Sequence, residues 1–223
     1  MVQKPSIMCA NCDLNPICFS AIAKQHKICR QPVAKGETLV LPDQEVHQVY
    51  LVYIGAFKCE IADHTGKTHI ARFFMPGDII GLETLDNKKS LGKITALEQS
   101  AICKLDTKLI TEYCQQDPQS HCQMIHLISR SMRKLYTQHH QYDSAEKALV
   151  SFLLDIYALD QDRGNRSNSF RLPMTKKDMA NYLHLTPETI SRILTKLKHD
   201  MLLETQGKKI NVLDQRGLMN ILH

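Results

Sequence analysis

The stretch from 174 to 203, MTKKDMANYLHLTPETISRILTKLKHDMLL, carries two helix signatures with almost nothing between them. Thr175 is a capping side chain, and Asp178 three residues on completes a short reciprocal capping pair. Met179, Ala180 and Leu183 mark the apolar side of that first helix, and the pattern gives way at His184-Leu185. Thr186 then caps a second helix, with Pro187 at its first position. Ile190, Ile193, Leu194 and Leu197 form the buried stripe of this second helix. Two short helices joined this tightly make a helix-turn-helix. Beyond them, LLETQGKKINVL (202–213) predicts two short strands around Gly207, a wing behind the helices.

The exposed side of the second helix carries Glu188, Thr189, Ser191, Arg192, Lys196 and Lys198. Glu188 and Arg192 stand four apart and share a face near the N-terminal end, the end that enters the major groove in this motif. A carboxylate accepts from the cytosine amino group, and a guanidinium donates twice to the acceptor edge of guanine. The same spacing also suits a plain surface ion pair, worth only about 0.3–0.5 kcal/mol. Lys176, Lys177 and Lys196 suit phosphates, which position a protein on DNA without specifying sequence. Eight basic residues against four acidic ones lie between Arg171 and Lys209, so this segment holds four of the chain's net five positive charges. That balance is the footprint of a nucleic-acid contact.

Upstream the pattern differs. From about residue 30 to 110, short runs such as VYLVYI (49–54), FKCEIA (57–62) and HIARFF (69–74) alternate with turn signals at Gly36, Gly55, Gly66 and Pro76-Gly77-Asp78. This predicts a compact antiparallel barrel or roll, without a glycine-rich phosphate loop. Asp117-Pro118 then opens a long helix on which Ile125, Ile128, Met132 and Leu135 follow at spacings of three, four and three. That narrow seam could pack on the helix's own domain or pair with a second copy of the chain, and its shape favours the pairing. Another helix, from about Ser144 to Leu159, has the broader stripe of a core helix: Ala145, Leu149, Phe152, Leu153 and Ile156. The polar run 160–169 reads as a loop. No run of eighteen apolar residues is present, so no membrane span is expected, and no signal-peptide h-region opens the chain, which points to the cytoplasm.

The chain has 223 residues and eight cysteines, three of them in CANCDLNPIC (9–18). Cys9, Cys12 and Cys18 cannot all pair with one another, so either a metal takes them or another cysteine completes the set. Thiols in a reducing compartment are better metal or redox candidates than disulfides. Spacing alone suits zinc as well as an iron–sulfur cluster. No nucleophile–base arrangement suggests an enzyme.

Together these residues resemble the CRP/FNR family of bacterial transcription regulators, over nearly the whole chain. KGETL (35–39), YIGAFK (53–58) and MPGDIIG (75–81) are similar to the family's effector roll, and LTPETISRILTKLK (185–198) to its recognition helix. The resemblance implies an α+β chain in four parts. These are a cysteine arm (1–20), a cyclic-nucleotide-binding-like β-roll or jelly roll (21–116), a dimerisation helix (117–143) and a winged helix-turn-helix (144–223). The form Glu188-Thr-Ile-Ser-Arg192 is of the FNR type and implies Glu188, Ser191 and Arg192 as readers of a TTGAT-type half-site. Cyclic-nucleotide-binding members hold the phosphate with an Arg-Ser pair. Here Ser90-Leu91 falls there, with no arginine between Arg72 and Arg130. The spacing C-x2-C-x5-C resembles the cluster-binding segment of the FNR subgroup, and TALEQSAICKL (95–105) places Cys103 as that subgroup's fourth ligand.

The resemblance thus implies a homodimeric, oxygen-responsive regulator of double-stranded DNA. It carries a [4Fe-4S] cluster on Cys9, Cys12, Cys18 and Cys103, lost or converted on exposure to oxygen. RNA polymerase is the implied partner, contacted in the family through the 65–68 turn, where Lys67 replaces the usual acidic residue. A regulator of the same fold that senses haem, a cyclic nucleotide or thiol redox state, with zinc or no metal at the cysteines, is the alternative. So is a redox carrier with a basic surface.

Overall fold

The computed structural model describes residues 30–116, 118–138, 142–162 and 166–223. Cys9, Cys12, Cys18, Cys29 and the capping Asp117 therefore lie outside the described residues. The chain divides into two units, Met1–Lys134 and Leu135–His223.

In the first unit eight strands form two antiparallel sheets. One has the order β1 (Arg30–Val33), β8 (Ser100–Asp106), β3 (Gln48–Ile54), β6 (Ile79–Ile80). The other runs β2 (Thr38–Val40), β7 (Lys93–Ala96), β4 (Phe57–Ala62), β5 (Thr68–Phe74). Alternation along the strands sends Val33, Val52, Phe57, Phe74, Ile94 and Ile102 into one shared core. The β3–β4 turn requires a glycine. Gly55 has φ +85°, and a Cβ there would lie 2.1 Å from Ser100 Oγ.

Helix α1 (Thr84–Asn87) precedes β7, and α2 (Thr107–Gln116) and α3 (Pro118–Gln138) follow β8. Sequence patterning missed α2, because its apolar residues are few and follow a strand without a break. It is fixed by burial. Ile110 joins Val49, Leu51, Ile79, Leu105 and Leu127 in a second core. This core covers the opposite side of the β3–β8 pair from Ile102. Helix α3 thus has two apolar sides. Leu127 and Met124 pack on the roll, whereas Ile125, Ile128 and Met132 are 60%, 37% and 48% exposed.

The second unit holds α4 (Ala145–Asp162), β9 (Ser169–Arg171), α5 (Lys176–Tyr182), α6 (Pro187–His199), β10 (Leu203–Gln206), β11 (Lys209–Val212) and α7 (Gln215–Leu222). The predicted stripe of α4 is buried at Leu149, Phe152, Leu153 and Ile156. Two differences from the sequence reading concern the 160–169 run: α4 extends to Asp162, and Ser169 begins a strand. That strand pairs with β11 through Ile210↔Phe170 and Asn211↔Ser169, so the wing sheet has three strands. Among the described residues no helix is long and apolar enough to cross a membrane.

The recognition unit follows its predicted outline. Thr175 Oγ1 accepts from the Asp178 N–H, and the Asp178 carboxylate accepts from the Thr175 N–H at 3.0 Å. Thr186 Oγ1 accepts from the Thr189 N–H at 3.2 Å. Between the helices His184 takes φ +55°, the left-handed conformation that ends one helix and allows the sharp turn into the next. Ile190 and Leu197 are fully buried, with Ile193 and Leu194 below a tenth exposed. Replacing Leu197 with Ala is expected to lower stability by about 2–5 kcal/mol in denaturant titration, and Lys198→Ala by less than about 0.5 kcal/mol.

Candidate functional site

Two regions carry chemistry: the face of α6 and the thiols of the roll. On α6, Glu188 and Arg192 are exposed, and their side chains make no hydrogen bond or ion pair with another described residue. The surface ion pair that their spacing allows is therefore not formed. Both groups keep their hydrogen-bonding capacity for an outside partner. Thr189 is half-buried against the capping turn, its hydroxyl 3.1 Å from that of Thr186.

The basic residues divide into two kinds. Lys177 is exposed on α5. Lys176 Nζ donates to Ser191 Oγ at 3.1 Å and links α5 to α6. Lys196 Nζ lies 2.7 Å from Glu146 Oε2, in the first turn of α4. That hydrogen bond is the main cause holding the Lys196 ammonium above its ordinary pKa. Sequence reasoning missed Glu146 because it lies fifty residues from its partner and no helical spacing links the two. A cavity of about 260 Å³ between the helices and the wing is lined by Lys176, Lys198 and Lys208, with Leu194 and Ile210 on its apolar side.

Among the cysteines, Cys103 is half-buried on β8, on the side that faces α2 and α3, and packs with Leu51, Leu105 and Leu127. Its partner across the β1–β8 ladder is Arg30, the first described residue. Cys114 on α2 belongs to the same apolar layer, and burial raises its pKa. Cys59 lies inside the roll. Burial, helped by the negative charge of Glu83, pushes its thiol up to about 12. Cys122 is exposed on α3. No group of three His, Cys, Asp or Glu side chains suited to a metal occurs among the described residues. Of the four expected ligands only Cys103 is among them.

The roll's effector region has its own geometry. Ser90, at the first position of the expected Arg-Ser pair, is buried and donates its hydroxyl to Gly92 O at 2.9 Å. Arg72, in register with Cys59, stacks 4.7 Å from the Phe74 ring centre. Its Nη1 donates to Ser131 Oγ on α3 at 3.2 Å. The cleft beside it, shared with Asp78, Leu127 and Arg130, has a volume of about 30 Å³. That is room for about one or two waters, far below the roughly 300 Å³ of a small-molecule pocket.

A two-sheet roll, a long helix with one exposed apolar side and a winged helix-turn-helix together define a two-part DNA-binding regulator. Residues 30–117 match the cyclic nucleotide-binding domain family, and residues 147–221 match the Crp-like helix-turn-helix domain. The chain is 28% identical to the regulatory protein HlyX of Actinobacillus pleuropneumoniae, over 93% of this chain and 90% of that protein. It is 28% identical to the transcriptional activator protein FnrA of Stutzerimonas stutzeri, over 94% and 90%. With the fumarate and nitrate reduction regulatory protein of Vibrio cholerae it shares 26% identity, over 97% and 90%. The structure of FixK2 from Bradyrhizobium japonicum superposes with a TM-score of 0.78 at 23% identity, covering 87% of this chain and 96% of that one. The chain belongs to the CRP/FNR family of transcription regulators, in its FNR subgroup.

The thiol environments give a direct expectation. Alkylation of the native protein with iodoacetamide at about pH 7.5 should label Cys122 and leave Cys59 unmodified until the roll unfolds. Peptide mass mapping reads both outcomes.

Proposed function

We propose that this regulator responds to oxygen through a [4Fe-4S] cluster on Cys9, Cys12, Cys18 and Cys103, and that it reads a palindromic TTGAT-type site as a homodimer. The observation that carries the reading is the β1–β8 register. Arg30 sits opposite Cys103, so the arm holding the other three cysteines is tethered beside the fourth. Eleven residues separate Cys18 from Arg30, a reach of up to about 40 Å, which is ample for closure of the set. Four thiolates fit such a cluster, and Cys103 is half-buried against the apolar layer beneath α2 and α3.

When bound, the cluster supplies an oxygen-labile connection among four thiolates. This chain's residues turn that connection into a structural signal. Cys103 shares its packed layer with Leu127 and Met124 of α3, so the ligand environment and the inner side of that helix are one layer. The outer side of α3 presents Ile125, Ile128 and Met132 to a second copy, and the seam spacing of the sequence continues to Leu135. Dimerisation places two recognition helices on half-sites one turn apart, and a modest change in dimer stability becomes a large change in occupancy. Glu188, Ser191 and Arg192 then face base edges, with Thr189 at the entry of the helix and Lys176 and Lys177 beside the phosphates, whereas Lys196 is engaged by Glu146. RNA polymerase is the proposed partner on DNA.

Protein purified without oxygen should be brown and contain about four iron and four sulfide per chain. Cys103→Ser should abolish that content. A colourless, zinc-loaded preparation would refute the cluster. On a duplex of TTGAT and ATCAA half-sites, Arg192→Ala is expected to cost about 1–3 kcal/mol of binding and to relax base preference. Ile128→Glu should shift sedimentation towards monomer.

A further inference from the structure

The recognition helix carries an ion pair that the sequence pattern does not show. Lys196 lies one helical turn beyond Arg192. Its ammonium is 2.7 Å from the carboxylate of Glu146, which is only 24% exposed. Helix α4, which supplies Glu146, packs against α6. Leu149 of α4 and Leu197 of α6, each three or fewer residues from the pair, are both fully buried. The pair therefore stands at the rim of an apolar contact between two helices, where a short charged link fixes their rotation and sliding. A lysine free to follow a phosphate would have to leave this carboxylate and break the ion pair.

We propose that Glu146 is a positioning residue for DNA recognition: through Lys196 it locks the recognition helix onto the preceding helix, and Lys196 is a strut instead of a phosphate contact. This rests on the DNA-reading assignment of α6 given above. Lys196 then contributes to affinity through the placement of Glu188 and Arg192 and not through its own charge.

The two uses of Lys196 differ in salt dependence. A phosphate contact adds about 0.9 to the slope of log K against log salt, whereas a strut adds nothing to it. Affinity for the palindromic duplex and a scrambled duplex is measured across a salt series for the full chain and for Lys196→Met, Glu146→Gln, the double variant and Lys196→Arg. The strut predicts that Lys196→Met and Glu146→Gln each weaken palindrome binding by about threefold, the size expected of one solvent-exposed ion pair. The slope stays unchanged. The double variant is no worse than the weaker single, because both changes remove one interaction. Lys196→Arg, which keeps the pair, stays near wild type.

A slope flattened by about one in Lys196→Met overturns the proposal, as does tighter binding by Glu146→Gln, since either marks Lys196 as a phosphate contact held back by Glu146. Wild-type affinity in both single variants overturns it as well. A wild-type chain that does not prefer the palindrome instead overturns the underlying reading of α6, so the two failures are distinguishable. Glu146→Gln is nearly isosteric and leaves the buried stripe untouched, and its thermal unfolding midpoint confirms that the unit is folded.

Discussion

Strand β8 has two faces, and the first unit is organised around their opposition. Ile102 points into the roll and is fully buried with Val33, Val52, Phe57 and Phe74. Cys103 and Leu105 cannot point the same way as Ile102 and both join the layer beneath α2 and α3. A register slip by one residue would put Cys103 into the core and Ile102 under the helices. Pairing to β3 on one side and β1 on the other prevents that slip, because β8 is held at Leu51↔Cys103 and at Arg30↔Cys103. The chemistry of the thiol is thus inseparable from the packing of the sheet. Cys59, on an inward position of β4, shows the other outcome: the same side chain made inert by burial.

The same opposition explains why α3 has two apolar sides. One side of the helix, Met124 and Leu127, is spent on the roll, and Arg72 adds a hydrogen bond to Ser131 one turn further along. That arginine comes from β5, the edge strand of the second sheet, so the helix is tied to both sheets of the roll. The remaining apolar residues have no partner within the described chain. An exposed row of Ile and Met at helical spacing is costly in water and fits a second copy of the same helix. The protein's own arginine also occupies the roll–helix junction. The placement of α3 therefore depends on residues of this chain, with only a small cleft left beside them.

Much of this was legible because it is local. Thr175, Asp178 and Thr186 fix helix starts through bonds spanning three residues, with Pro187 at the first position of the second helix, and the structure has those bonds as expected. Strand alternation in 49–54 and 57–62 was legible for the same reason. What escaped is what distant residues decide. Helix α2 exists because Ile110 finds Leu105 and Leu127, and β9 because β11 offers it a ladder. Neither fact has a short-range signature. The seam of α3 was read as one side only, since periodicity identifies apolar positions but not which neighbour each one meets. The thiols of the arm were legible as a set only by resemblance, and they lie outside the described residues.

The recognition helix shows the same limit in its charges. Sequence places Glu188, Arg192, Lys176 and Lys196 on exposed positions of the helix-turn-helix, the first two suited to base edges and both lysines to phosphates. The structure separates them. Lys176 is turned onto Ser191 and Lys196 onto Glu146, while Glu188 and Arg192 keep open hydrogen-bonding groups. A guanidinium and a carboxylate four residues apart usually neutralise each other in part, which would blunt both as base readers. Their separation here has a geometric source: the capped turn at Thr186 and Thr189 and the buried stripe from Ile190 to Leu197 hold the helix with this edge outward. How the helix is seated therefore decides which of its charges stay available: Lys176 and Lys196 are engaged, whereas Lys177 and Lys198 are exposed beside Glu188 and Arg192.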